Sequence, residues 1–248
     1  MESTLAQQVT KVSKIRKFGR ALAKAAISPF YIRSDKRHLA LSCVNNIEKG
    51  RGIFGGLLFS SVKDMKGANV GGVATFSEKA SGASVSGIVN ITLEESSGFS
   101  FSGLNLAGIN RGVQIGWIGA IAGANKSRWY VGEYASKGLV AGTLCASADH
   151  DVKGALVSGV FSYAMEKVRG AVIAPVNFVS EKLTGFSFGI YSMVESFTGF
   201  RIGLINASEK PSKGVEIGLL NINTGNPWYA RVSPIIAIRL GKGVQKED

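Results

Sequence analysis

The stretch Gly214-Val215-Glu216-Ile217-Gly218-Leu219-Leu220-Asn221-Ile222 is a repeat unit, and the rest of the chain is read outward from it. Fifteen residues earlier the chain reads Gly199-Phe200-Arg201-Ile202-Gly203-Leu204-Ile205-Asn206-Ala207, and Gly98-Phe99-Ser100-Phe101-Ser102-Gly103-Leu104-Asn105-Leu106 gives the same phrase with one glycine displaced. Unit starts fall at His38, Gly52, Gly67, Gly82, Gly98, Gly112, Arg128, Gly138, Gly154, Gly170, Gly185, Gly199, Gly214 and Tyr229. That makes about 14 units, mostly at steps of 14–16 residues, with one step of 10 from Arg128 to Gly138. Such self-similarity marks a stack of small units, each burying its faces on its neighbours.

Counting the start as position 0, positions 1 and 3 are apolar (Phe200 and Ile202, Val215 and Ile217), and so usually are positions 6 and 8 (Leu220 and Ile222). Spacing of two is strand alternation, and the jump of three between the pairs changes its phase. A corner at Gly218, Gly203 or Gly103 would let both pairs point inward, leaving position 2 (Glu216, Arg201, Ser187, Gln114, Ser100) outside. Position 7 repeatedly holds Asn, at Asn45, Asn105, Asn177, Asn206 and Asn221, and stacking would align these amides in a column. The expected fold is mainly β, a β-solenoid of short parallel strands in which Phe186, Phe200 and Val215 are in-register neighbours. The rival is an antiparallel meander or barrel, supported by the hairpin-like Tyr134-Ala135-Ser136-Lys137-Gly138-Leu139-Val140. Against a membrane barrel, the polar turns are all of similar kind instead of alternating short and long. Asn125–Lys137 is read as an inserted excursion.

The chain has 248 residues, 45% apolar and 19% charged, which fits a packed protein rather than a disordered one. Its net charge of +12 is uneven: residues 1–40 hold nine Lys/Arg against Glu2 and Asp35, for +7, and the rest carries +5. From Thr4 the spacing of Leu5, Val9, Val12, Ile15, Phe18 and Leu22 predicts an amphipathic helix limited by Ser28 ahead of Pro29. Lys11, Lys14, Arg16, Lys17, Arg20 and Lys24 crowd its other surface. Three segments follow: a basic helical arm or cap over 1–37, a β-repeat domain over 38–240, and a polar tail over 241–248. The arm either covers the end of the stack, as terminal caps do, or lies on an anionic membrane with its apolar face down. No run is long enough for a membrane-spanning helix, and Ala21–Ile32, interrupted by Lys24 and Pro29, makes a poor secretory signal. Cys43 and Cys145 lie too far apart for a CxxC site and are expected to be buried small hydrophobes.

The phrases at 214–221 and 199–206 resemble a bacterial surface-repeat family first noticed in spirochaetes, whose units run glycine, hydrophobic, Gln, Ile, Gly, Leu, hydrophobic, Asn. Pro227-Trp228-Tyr229 through Pro234-Ile235-Ile236 looks like the closing segment of such arrays. The resemblance covers 185–240 well, 38–184 more loosely, and 1–37 not at all. It implies a surface or exported location and brings no catalytic residues with it.

Candidate chemistry is sparse. Gly50-Arg51-Gly52-Ile53-Phe54-Gly55 satisfies GxGxxG, but Leu57-Leu58-Phe59 continues as strand where a phosphate loop needs a helix. Asp149-His150-Asp151 falls where other units place polar turns, and a solvated turn is the simpler reading. Asn90, Asn125 and Asn206 begin N-x-S/T triplets, which occur often by chance. Trp129 and Tyr130, with Trp117 and Tyr134, break the array, either as a contact loop or as a plug for the opened core. The sequence therefore reads as a non-enzymatic scaffold with no cofactor and no metal. Its expected partner is a protein or an anionic membrane surface, and nucleic acid is not expected. The alternative is a membrane β-barrel or pore.

Overall fold

A computed structural model describes residues 25–27, 31–123 and 136–240, and they form a β-solenoid of about ten turns. The strands are β1 (Ala25–Ile27), β2 (Tyr31–Gly71), β3 (Ala74–Ser86), β4 (Val89–Ala122), β5 (Ser136–Gly142), β6 (Cys145–Ala148) and β7 (Val152–Ser158). They continue as β8 (Phe161–Ala164), β9 (Val168–Ile173), β10 (Val176–Phe188), β11 (Tyr191–Ile202), β12 (Ile205–Ser208), β13 (Lys213–Asn223) and β14 (Val232–Leu240). Corresponding positions of successive units pair in parallel and in register: Phe186 with Phe200, Phe200 with Val215, Asn206 with Asn221. The antiparallel meander is thereby corrected. Among the described residues only β14 runs antiparallel, folding back on β13 to close the stack.

The start glycine is a corner. Gly199 and Gly214 have φ of 135° and 139°, which an L side chain rarely adopts, and a Cβ on Gly214 would stand 2.0 Å from the carbonyl oxygen of Gly199. Further bends, such as Gly159–Val160 and Met165–Glu166, make the coil three-sided. A first face carries positions 1 and 3, a second face follows the next bend, and a charged third side returns to the glycine.

The corner at position 0 overturns the expected inside and outside. With the apolar residue two before the glycine pointing inward (Leu183, Phe197), alternation carries position 2 inward and positions 1 and 3 outward. Glu216, Arg201, Ser187, Gln114 and Ser100 are all buried, whereas Phe188, Phe200, Leu204 and Leu219 are exposed. Apolar packing inside comes from two clusters. One contains Ile47, Phe54, Val62 and Met65; the other contains Val140, Leu156, Val168, Leu183, Val194 and Phe197. Full burial of such a side chain contributes ~1.5–3 kcal/mol.

The buried asparagines act on the backbone more than on each other. Nδ2 of Asn45, Asn105, Asn177 and Asn206 donates to the position-3 carbonyl of the following coil: Gly55 at 2.6 Å, Ile115 at 3.2 Å, Phe188 at 2.9 Å and Ile217 at 3.1 Å. Asn206 also donates to Oδ1 of Asn221 at 2.8 Å. Ser192 stands between Asn177 and Asn206, so the amide column is interrupted there.

Three boundaries differ from expectation. Strand β1 begins at Ala25, inside the stretch assigned to the arm, and pairs with Leu39–Leu41; residues 1–24 lie outside the described residues. Asn110 pairs directly with Ser136, and Gly138 sits against Gly112, so the coil of Gly138 stacks directly on that of Gly112; Arg128, expected to start a unit between them, lies outside the described residues. Tyr229 lies in a 3-10 turn (Trp228–Ala230) leading into β14, not in a further coil.

Candidate interaction surface

Parallel stacking without register slip turns each outward position into a column along the molecule. On the first face the rings of Phe186 and Phe200 stack at 6.1 Å. On the second face Phe161 and Phe178 lie 5.6 Å apart, and Phe178 and Tyr191 5.7 Å apart. The ridge between these faces is also apolar, with Leu57 and Leu219 about 70% exposed beside Trp117, Leu144, Val160, Ile190 and Leu204. Trp117 is held by donating Nε1–H to the carbonyl of Gly87 at 3.0 Å. Apolar residues scattered singly on a surface need no explanation; here they form contiguous columns on two faces.

The edges of the two faces differ in charge. The residue just before the corner glycine borders the first face. It is basic at Arg51, Lys66, Arg111, Lys137, Lys153, Arg169 and Lys213, a hydroxyl at Ser81, Ser97, Thr184 and Thr198, and acidic in none of these coils. The far border of the second face carries Glu78, Asp149, Glu195 and Glu209 against Lys63. Between them the third side is stitched by pairs from one coil to the next: Lys63–Glu78 at 3.8 Å, Lys79–Glu94 at 3.2 Å, Lys167–Glu181 at 3.5 Å and Lys210–Glu195 at 2.6 Å. The hydrogen bond from Lys210 to Glu195 holds its ammonium pKa above the ordinary value.

Inside the last coils lies a charged network. Arg201 Nη2 meets Glu216 Oε1 at 2.5 Å, and Arg239 Nε of the closing strand meets Glu216 Oε2 at 3.3 Å. Burial lowers the Arg201 pKa, opposed by the attraction of Glu216. Arg201 also donates to the Ala207 carbonyl at 2.9 Å and lies over the Phe197 ring, 5.2 Å from its centroid.

The motif candidates resolve as structure. The GxGxxG run continues through β2, with Gly50 packed against the Phe54 ring. His150 Nδ1 lies 3.2 Å from Glu166 Oε1, and Asp151 Oδ1 accepts from the Lys167 amide at 3.0 Å, so this turn is tied to the next coil. Among the described residues, no group of three or more His, Cys, Asp or Glu could hold a metal ion. Asn90 and Asn206 are buried, closing them to glycosylation in the folded chain. Cys43 and Cys145 are free thiols, half-buried instead of buried. Lys11, Lys14, Arg16, Lys17, Arg20, Lys24, Trp129 and Tyr130 lie outside the described residues.

The outward columns and the basic border were missed by sequence reasoning. A signal for the border existed: a Lys or Arg directly before the start glycine in most units. Among the described residues no helix is long and apolar enough to cross a membrane. No family model, curated protein or solved structure matches this chain.

Proposed function

We propose that this chain is a non-enzymatic repeat scaffold presenting an extended surface to a partner. The observation that carries this reading is the outward set of apolar columns, Phe186 and Phe200 among them, which the solenoid holds on a rigid frame. A repeat array distributes recognition along its length rather than concentrating it in a cleft, because each coil contributes the same few outward positions. The likeness of 185–240 to bacterial surface repeats supports the same reading and adds display on a surface or export as the setting.

The test is binding of a hydrophobic dye such as anilinonaphthalene sulfonate to the folded full chain. Native protein should enhance its fluorescence. Phe186→Thr, Phe200→Thr and Leu219→Thr together should reduce that signal while circular dichroism is unchanged. Native protein that gives no enhancement would mean the columns are covered, and the scaffold reading would fail.

A further inference from the structure

We propose that the closing strand β14 pairs with β14 of a second copy of this chain, antiparallel across a two-fold axis, joining two solenoids end to end. This goes beyond the scaffold reading and does not rest on it, because the surface concerned is the end of the stack and not the columns along its sides.

The last strand of a stack has a neighbour on one side only, and its other edge offers a row of N–H and C=O groups to any strand that arrives. β14 holds that place: it pairs with β13 and ends the sheet. Soluble arrays guard such an edge with charge or a polar outer face. Val232-Ser233-Pro234-Ile235-Ile236-Ala237-Ile238-Arg239-Leu240 has no carboxylate and a single cation, Arg239, which turns inward to Glu216. Pro234 blunts the edge by lacking an N–H, but it leaves residues 235–240 able to pair.

Exposure along the columns points to a strand as the missing neighbour. Val215 and Ile217 have a strand on each side and are half-buried. Their partners in β14, Ile238 and Ile236, have a strand on one side and are 72% and 56% exposed. A further strand laid on β14 would return them to the state of the coil before. Val232, Ile235 and the T-shaped pair of Trp228 and Tyr229, in the turn into β14, are also more than half exposed. At ~200 Å² for a whole large side chain, these six expose roughly 800 Å², about what each partner brings to a standard interface.

A second copy supplies this strand because the edge is self-complementary. A strand related to itself by a two-fold axis pairs antiparallel, with the same patch on both partners. Ile236 and Ile238 of the two chains then share one face, and Ala237 and Arg239 the other. Arg239 of each copy is already bound to Glu216, so pairing brings no uncompensated charge of the strand to the axis. The chain's own remaining segments fit the place poorly. Residues 241–248 contain one apolar residue, Val244. Strand β1, which follows residues 1–24, lies at the other end of the sheet, about ten turns or ~48 Å away at the strand spacing.

Sedimentation equilibrium of the full chain should show a dimer that dissociates on dilution. Ile236→Lys with Ile238→Lys should weaken association at least ~100-fold, because it sets lysines against lysines at the axis. Both sites are exposed in the single chain, so circular dichroism should stay native. Phe186→Lys, on the same face but away from the end, should leave the dimer intact. A native chain that stays monomeric up to ~100 µM overturns the proposal, since an interface of this size should hold there. So does a dimer that survives the lysine pair, which puts the contact elsewhere, or growth beyond a dimer, which means head-to-tail stacking. Should the lysine pair unfold the chain, hydrogen exchange of the native protein decides. Amides of residues 235–240 should exchange more slowly above the dissociation constant than below it, and equal rates overturn the pairing. A monomeric chain whose Phe186 and Phe200 still bind the dye would leave the scaffold reading standing and remove the dimer alone.

Discussion

Arg201 and Glu216 occupy the same position of consecutive coils, paired in register and fully buried, with 2.5 Å between Nη2 and Oε1. Arg239 of the closing strand reaches the other carboxylate oxygen, so this network ties the antiparallel end of the solenoid to its two last parallel coils. A buried ion pair gains little net stability over an apolar pair of the same size, but removing one partner strands the other. Glu216→Gln should therefore cost ~3–5 kcal/mol, whereas Arg201→Met, Glu216→Leu and Arg239→Met together, which leave no charge of the network behind, should lie much closer to the native value. Urea melts of both variants check this, and equal losses would mean the pair itself is worth more than its desolvation.

Asn206 carries the next prediction. Its Nδ2 serves both the Ile217 carbonyl and Asn221 Oδ1. Asn206→Leu leaves these acceptors buried without that donor, at a cost of ~1–3 kcal/mol. Asn206→Ser should be milder, since the preceding coil already places Ser192 at the equivalent site. An unchanged melting temperature for the leucine variant would show that the amide supports nothing.

Gly214 tests the corner. Its φ of 139° and the Gly199 carbonyl 2.0 Å from a built Cβ leave no room for alanine. Conformational strain alone costs ~1–3 kcal/mol, and the steric conflict with neighbouring backbone adds to it. Gly214→Ala should melt well below the native chain. Little change would mean the corner can relax by moving the coil beneath it.

How much of this was legible in the sequence depends on which kind of signal carried it. The spacing of Gly199 and Gly214 and the recurrence of Asn at position 7 follow from stacking, and stacking repeats whatever it places, so parallel in-register coils were readable. Which side of the strand faces the core was not. Glu216 and Arg201 look like surface residues one at a time, and only their pairing across coils makes burial tolerable. The corner glycine also does not reveal itself by type: Gly218 and Gly214 read alike, but it is Gly214 that has positive φ and sets the phase of alternation. The 10-residue step before Gly138 marked an irregularity, but local spacing could not show that Gly138 stacks on Gly112.

The inverted coil gives the sharpest contrast between two substitutions of the same kind. Leu219 is 69% exposed on the apolar ridge, and Val194 is 0% exposed inside the coil. If every large apolar side chain belonged to the core, Leu219 would lie inside, and Leu219→Lys would then be ruinous. In this structure the lysine reaches water without disturbing a neighbour, and surface changes of that sort usually stay within ~0.5 kcal/mol. Val194→Lys instead forces an ammonium among Val179, Leu183 and Phe197 of the same cluster, where an unpaired charge is far more costly than a lost contact. The expected result is a native-like melt for Leu219→Lys and no cooperative transition for Val194→Lys, read by circular dichroism. If Leu219→Lys unfolds the chain as well, the outward columns are core, and the inside–outside assignment is wrong.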